Sequence, residues 1–111
     1  MTRKLCVATA LAAAILATAA GFAAQSAQAA DTKVNIDEFA FDPQRVTVKA
    51  GTTVTWKNQD GEPHTVTSVD GLFRSGALDT DDTFSFKFDK PGTYKYACSI
   101  HPRMIGTVIV Q

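Results

Sequence analysis

Two runs decide the fold class: Phe84-Ser85-Phe86-Lys87-Phe88 and, across Lys90-Pro91-Gly92, Thr93-Tyr94-Lys95-Tyr96-Ala97-Cys98. In both, a large or apolar side chain alternates with a small or polar one. A period of two marks a strand with one buried face, whereas a helix repeats at 3.6. Between the runs, Pro91 and Gly92 fit the second and third positions of a type II turn. Outward from this centre the same period recurs. Val108 and Val110 alternate at the end of the chain. Upstream, Val54 and Trp56 share one face, while Thr53, Thr55 and Lys57 share the other. Val46 and Val48 alternate before Ala50-Gly51; Val34 and Ile36 alternate, followed by Phe39 and Phe41. Asn58 to Pro63, with Asp60-Gly61 inside it, is a turn. After Ala30 no long helical stripe occurs. The prediction is an all-β domain, an antiparallel sandwich of short strands with the Phe, Tyr and Val rows as its core.

With 111 residues the chain has room for one such domain. Hydrophobic residues make up 45%, too many for a disordered chain. Eleven basic residues balance eleven acidic ones, so no basic surface for nucleic acid is indicated. The N-terminus reads as a separate segment. Arg3 and Lys4 precede an uncharged, Ala-rich run from Leu5 to Ala24, and Ala27-Gln28-Ala29 supplies a small-x-small cleavage signal. This is the layout of a secretory signal peptide over residues 1–29, with the domain at 30–111 and export from the cytoplasm as its consequence. An uncleaved membrane anchor is the weaker reading, because the run is only mildly apolar and leads directly into the cleavage pattern. Cleavage removes Arg3, Lys4 and Cys6, giving a mature charge of 9 − 11 = −2 and one remaining thiol, Cys98. A lone thiol in an oxidising compartment needs a reason to persist, and ligation to a metal is one.

Four residues carry metal chemistry: His64, Cys98, His101 and Met104. The last three read C-x-x-H-x-x-M within one loop, and His64 opens a predicted strand, His64-Thr65-Val66-Thr67. Each has an ordinary reading when taken singly. Cys98 suits a buried strand end, Met104 suits core filling, and the histidines suit turns. Jointly they are the mature chain's only histidines, cysteine and methionine. Two imidazoles, a thiolate and a thioether without a carboxylate match a blue-copper electron-transfer site. Zinc accepts His and Cys but takes Met poorly, and calcium and magnesium require oxygen. A copper-holding or copper-delivery protein uses the same ligands and remains the alternative. Eighty-odd residues with two histidines do not supply the second metal cluster and substrate pocket of a copper reductase.

The sequence resembles the cupredoxins, the type 1 blue copper proteins, and most of all their amicyanin branch. The residues that carry the resemblance are Glu62-Pro63-His64-Thr65-Val66, Phe73-Arg74-Ser75, Ala77 to Asp82, Lys90 to Tyr96, and Cys98 to Met104. It implies a Greek-key β-sandwich and one type 1 copper bound by His64, Cys98, His101 and Met104. It also implies a monomeric periplasmic electron carrier, not an enzyme. The implied donor is an amine dehydrogenase, and the implied acceptor a c-type cytochrome. By the same resemblance His101 is the ligand nearest solvent, with Pro63, Pro102 and Ile105 as its apolar surround and Arg103 beside it. Family members usually carry Asn after the first histidine; here Thr65 takes that place and can hydrogen-bond across the loops. The acidic run Asp79, Asp81, Asp82 reads as a solvated loop.

Overall fold

A computed structural model describes residues 31–111. The predicted signal segment, residues 1–29, lies outside the described residues. Eight strands follow in order: β1 (Thr32–Asp37), β2 (Ala40–Asp42), β3 (Arg45–Val48), β4 (Thr52–Asn58), β5 (Thr67–Ser68), β6 (Thr83–Phe88), β7 (Gly92–Ala97) and β8 (Ile105–Val110). They form two four-stranded sheets, β2-β1-β4-β6 and β3-β8-β7-β5. The prediction of an all-β sandwich holds. Among the described residues no helix is long and apolar enough to cross a membrane.

Pairing is mixed, not antiparallel throughout. β1 runs parallel to β4, and β3 runs parallel to β8. Alternation fixes which face of a strand is buried but says nothing about its neighbour. The chain leaves the first sheet after β2, makes β3 in the second, and returns as β4. That return lands beside β1 in the same direction. Likewise Lys90-Pro91-Gly92 carries the chain from β6 in one sheet to β7 in the other, instead of closing a tight turn within a sheet.

Inward residues of both sheets interleave around Trp56, which is fully buried and lies 5.2 Å from the Tyr96 ring centroid and 5.8 Å from that of Phe73. Val34, Ile36, Val54 and Val108 are fully buried around it. Of the row Phe84, Phe86, Phe88, only Phe88 is fully covered, because β6 is the edge of its sheet. Burial pushes the Tyr96 hydroxyl up to about 12, the Trp56 indole opposing this in part. Neither the Tyr96 hydroxyl nor Trp56 Nε1 has a well-formed hydrogen bond.

Tyr96 faces Gly106 across the β7–β8 ladder, and a Cβ on Gly106 would run into the Tyr96 ring and hydroxyl. Gly106→Ala is therefore expected to destabilise the domain by about 1–3 kcal/mol through overpacking. Urea denaturation of the metal-free protein reads this, and an unchanged midpoint would refute it.

Candidate metal centre

Three of the four predicted ligands, His64, Cys98 and His101, meet at one end of the sandwich, with Met104 in the same loop as the last two. Cys98 directly follows β7 and is fully buried. Its N–H donates to the Met104 carbonyl at 3.1 Å, and the Met104 N–H donates to the His101 carbonyl at 2.9 Å. These two bonds fold the C-x-x-H-x-x-M segment back on itself before β8 begins. Met104 is buried within that loop.

His64 does not open a strand, as the sequence pattern predicts. It forms an isolated bridge with Leu78, its N–H donating to the Leu78 carbonyl at 3.1 Å and its carbonyl accepting from Leu78 N–H at 2.8 Å. β5 is shortened to Thr67–Ser68 because the segment before it pairs with the returning loop instead of a full strand. Val66 follows suit, its carbonyl accepting from Ser75 N–H and its N–H donating to Ser75 Oγ. The result is a rigid mount for a fully buried imidazole.

One ligand atom from each of His64, Cys98 and His101 lies within 4.8 Å of the others. His64 Nδ1 stands 3.9 Å from Cys98 Sγ and 3.2 Å from His101 Nδ1. His101 Nδ1 is 3.8 Å from the same sulfur. His64 Nε2 lies 2.7 Å from Asp60 Oδ2. An ionised carboxylate only accepts, so Nε2 carries the proton of that bond, and Nδ1 faces the sulfur. Thr65 N–H donates to Cys98 Sγ at 3.3 Å. Burial pushes the Cys98 thiol up, but that N–H and the two imidazoles outweigh it and bring it down to about 6. At neutral pH the sulfur is thus largely thiolate. A thiolate and two imidazole nitrogens converging in a buried space fit a thiophilic ion such as copper.

Thr65 does bridge the loops. Its Oγ1 accepts from Ser99 N–H at 2.7 Å and shares a 2.9 Å bond with Ser99 Oγ. Thr65→Val keeps the N–H to sulfur and removes the bridge to the loop. It is expected to cost about 1 kcal/mol, the worth of a typical hydrogen bond, and to speed amide exchange at Ser99. Exchange at Ser99 as slow as in the native protein would contradict this.

Two residues at the site escape the sequence reading. Asp60, which the sequence places only in a turn, is almost fully buried. Besides His64, it accepts from Glu38 N–H at 2.6 Å through Oδ1 and from Phe39 N–H at 2.9 Å through Oδ2. Burial alone would raise its pKa, but the Phe39 N–H, His64 and the Glu38 N–H hold it below the usual carboxylate value. Phe39, expected in the core row, is 49% exposed, and its ring stands edge-on to both His64 and His101 at 5.1 and 4.9 Å. The signals were present. Asp60 precedes His64 by four residues, and the apolar phase slips from even (Val34, Ile36) to odd (Phe39, Phe41) across a turn.

Phe39, Ile100, half-buried His101, Pro102, Arg103 and Met104 line an open groove over the site. Pro102 takes its expected place there. Pro63 and Ile105 are exposed but stand outside the groove lining, where Phe39 and Ile100 serve instead. The acidic run is an exposed turn closed on itself, with Asp79 N–H donating to Asp82 Oδ2 at 2.9 Å.

Comparison with known proteins agrees with this geometry. The family model for the cupredoxin-like domain matches residues 7–110. Amicyanin-alpha of Methylorubrum extorquens is 41% identical over 118 residues, covering 98% of this chain and 99% of that one. Among solved structures, a purple cupredoxin from Nitrosopumilus maritimus superposes with a TM-score of 0.68 at 37% identity, over 73% of this chain and 100% of its own. An amicyanin variant in its Cu(I) form superposes with a TM-score of 0.70 at 31% identity, over 73% and 82%. On sequence and fold together, the chain belongs to the cupredoxin-like domain family and is similar to amicyanin.

Proposed function

We propose that this chain is a one-electron carrier of a single type 1 copper, which His64, Cys98 and His101 would hold strongly and Met104 weakly. The observation that carries the reading is the convergence of one thiolate and two imidazole Nδ1 atoms within 4.8 Å of one another. Copper held so changes between Cu(I) and Cu(II) by one electron. The chain's own work is to keep the donors in place while that happens. Cys98 is fixed by β7, His64 by its bridge to Leu78, and the His101 loop by the backbone bonds that tie Cys98, His101 and Met104. A frame that holds the same positions in both states needs little rearrangement. The Thr65 N–H on Cys98 Sγ stabilises charge on the sulfur and tunes the preference between them.

Half-buried His101 opens into an apolar groove, and a small apolar face suits brief redox encounters. By likeness to the amicyanin relatives, we assign redox proteins as partners, an amine dehydrogenase as donor and a c-type cytochrome as acceptor. Residues 1–29 we assign as an export signal to the periplasm, where the chain acts as a monomer. The sequence of the exported protein's N-terminus then begins at Ala30.

The test is a copper(II) titration of the metal-free domain. One equivalent is expected to develop an intense visible thiolate-to-copper band, bleached by a one-electron reductant and restored by an oxidant. Colourless copper binding, or an equal preference for zinc, overturns the reading.

A further inference from the structure

The β1–β2 turn is unusual for its sequence. Asp37 pairs with Ala40, leaving Glu38 and Phe39 as a two-residue hairpin loop. Both lie in the left-handed region, with φ of 53° and 57°. A hairpin of this kind favours Asn-Gly or Asp-Gly, because left-handed backbone strains a side chain with a Cβ. A bulky aromatic there is a genuine outlier. Strain of this sort persists only where the surroundings over-determine it, and it collects at functional sites.

Here the surroundings are Asp60. One of its oxygens accepts from Glu38 N–H; the other accepts from Phe39 N–H and His64 Nε2–H. From the turn so held, the Phe39 ring reaches across both imidazoles. His101 needs this more than His64 does. Among the described residues its Nδ1 has Cys98 and His64 as its hydrogen-bond-distance neighbours, and it sits on a loop, half-exposed.

We infer that Asp60 and Phe39 form a clasp that positions the two imidazoles. Asp60 fixes the His64 tautomer and holds the strained turn, and Phe39 seats His101 and keeps water from it. The inference rests on the copper reading for its redox consequence but not for its structure. Two acceptor oxygens are required, so an amide cannot replace the carboxylate: its NH₂ would face a backbone donor. The two residues also act on the metal preference with opposite signs. A carboxylate hydrogen-bonded to a ligand favours the more positive Cu(II) state, whereas a ring that excludes water disfavours it.

The experiment uses the mature domain with Asp60→Asn and Phe39→Gly, each studied metal-free and copper-loaded. Glycine accepts the left-handed backbone, so Phe39→Gly relieves strain and keeps the fold. In the metal-free proteins NMR is expected to show faster amide exchange at Glu38 and Phe39 in Asp60→Asn. Both variants are expected to lose the ring-current shift on His101. In the copper-loaded proteins Asp60→Asn is expected to raise the preference for Cu(I) about tenfold, roughly 59 mV upward. Phe39→Gly is expected to lower it about threefold, roughly 28 mV downward. A structural turn alone predicts an unmoved potential in Phe39→Gly, and that result overturns the clasp. Native exchange at Glu38 and Phe39 in Asp60→Asn overturns it equally. If the native domain takes up no copper, the electron-carrier reading falls, and the metal-free spectra decide the clasp by themselves.

Discussion

Replacing Cys98 by serine is expected to abolish the intense visible band and to weaken copper binding by more than 100-fold, with the fold retained. Loss of a residue that merely supports a metal ligand costs roughly 10- to 100-fold in affinity, so loss of the thiolate itself costs more. The serine hydroxyl is neutral at pH 7, whereas Cys98 is brought down to about 6 and meets the metal already ionised. Retention of the fold follows from the small change in volume and from Thr65 N–H, which still finds an oxygen to donate to. The thermal consequence is large. Copper present at about 1,000 times its dissociation constant stabilises the native protein by about 4.1 kcal/mol. For a domain of this size each kcal/mol moves the melting temperature by about 4–8 °C, so copper is expected to raise it by about 16–33 °C. In Cys98→Ser most of that rise disappears, and at neutral pH the metal-free melting temperature falls only by the smaller amount that the thiolate itself contributes. Calorimetric scans with and without copper read both numbers. A copper-induced rise of native size in Cys98→Ser would remove the sulfur from the site.

The same sulfur sets a pH dependence. Its folded pKa lies below the ordinary thiol value of 9.0, so its contribution to metal-free stability is present in full above that value and is lost as pH falls through about 6. Copper uptake is therefore expected to release little thiol proton at pH 7.5 and approaching one at pH 5. Calorimetry in buffers of different ionisation enthalpy counts those protons. Full release at pH 7.5 would show that the thiol is not depressed.

What the sequence revealed here follows from how local each feature is. Alternation locates strands, and Trp56, Tyr96 and Val108 fall in the core as their phase requires. Cys98, His101 and Met104 are legible because one loop carries all three at fixed spacing. His64 was found by its chemistry alone, and its local structure was misread, since only the folded loop brings Leu78 to pair with it. Sheet neighbours could not be read from alternation, which describes faces and not partners. Phe39 and Asp60 were missed for a related reason. Their roles arise from a left-handed turn and a carboxylate that meet across more than twenty residues of chain. An aromatic in an apolar row and an Asp before a Gly both have commoner explanations.

Trp56→Ala is expected to cost about 3–5 kcal/mol, as truncation of a buried aromatic does. Trp56 is fully covered and touches rings from both sheets: Phe84 and Phe88 in its own, Tyr96 in the other, and Phe73 from the connecting loop. A folded domain of this size holds only about 4–12 kcal/mol in total, so the metal-free variant is expected to stand near its unfolding midpoint at room temperature. Copper, which binds the folded form, should pull it back. Trp56→Phe tests the cause. It preserves most of the apolar ring and removes an indole N–H that has no hydrogen-bond partner. Relief of that unpaired donor, worth about 1–3 kcal/mol, offsets much of the smaller cavity. The phenylalanine variant is therefore expected within about 1.5 kcal/mol of native, as conservative core exchanges are. Urea unfolding of both variants without metal separates volume from hydrogen bonding. Equal losses in the two would mean that the N–H contributes to the native state, and a small loss in Trp56→Ala would move the centre of the core away from Trp56.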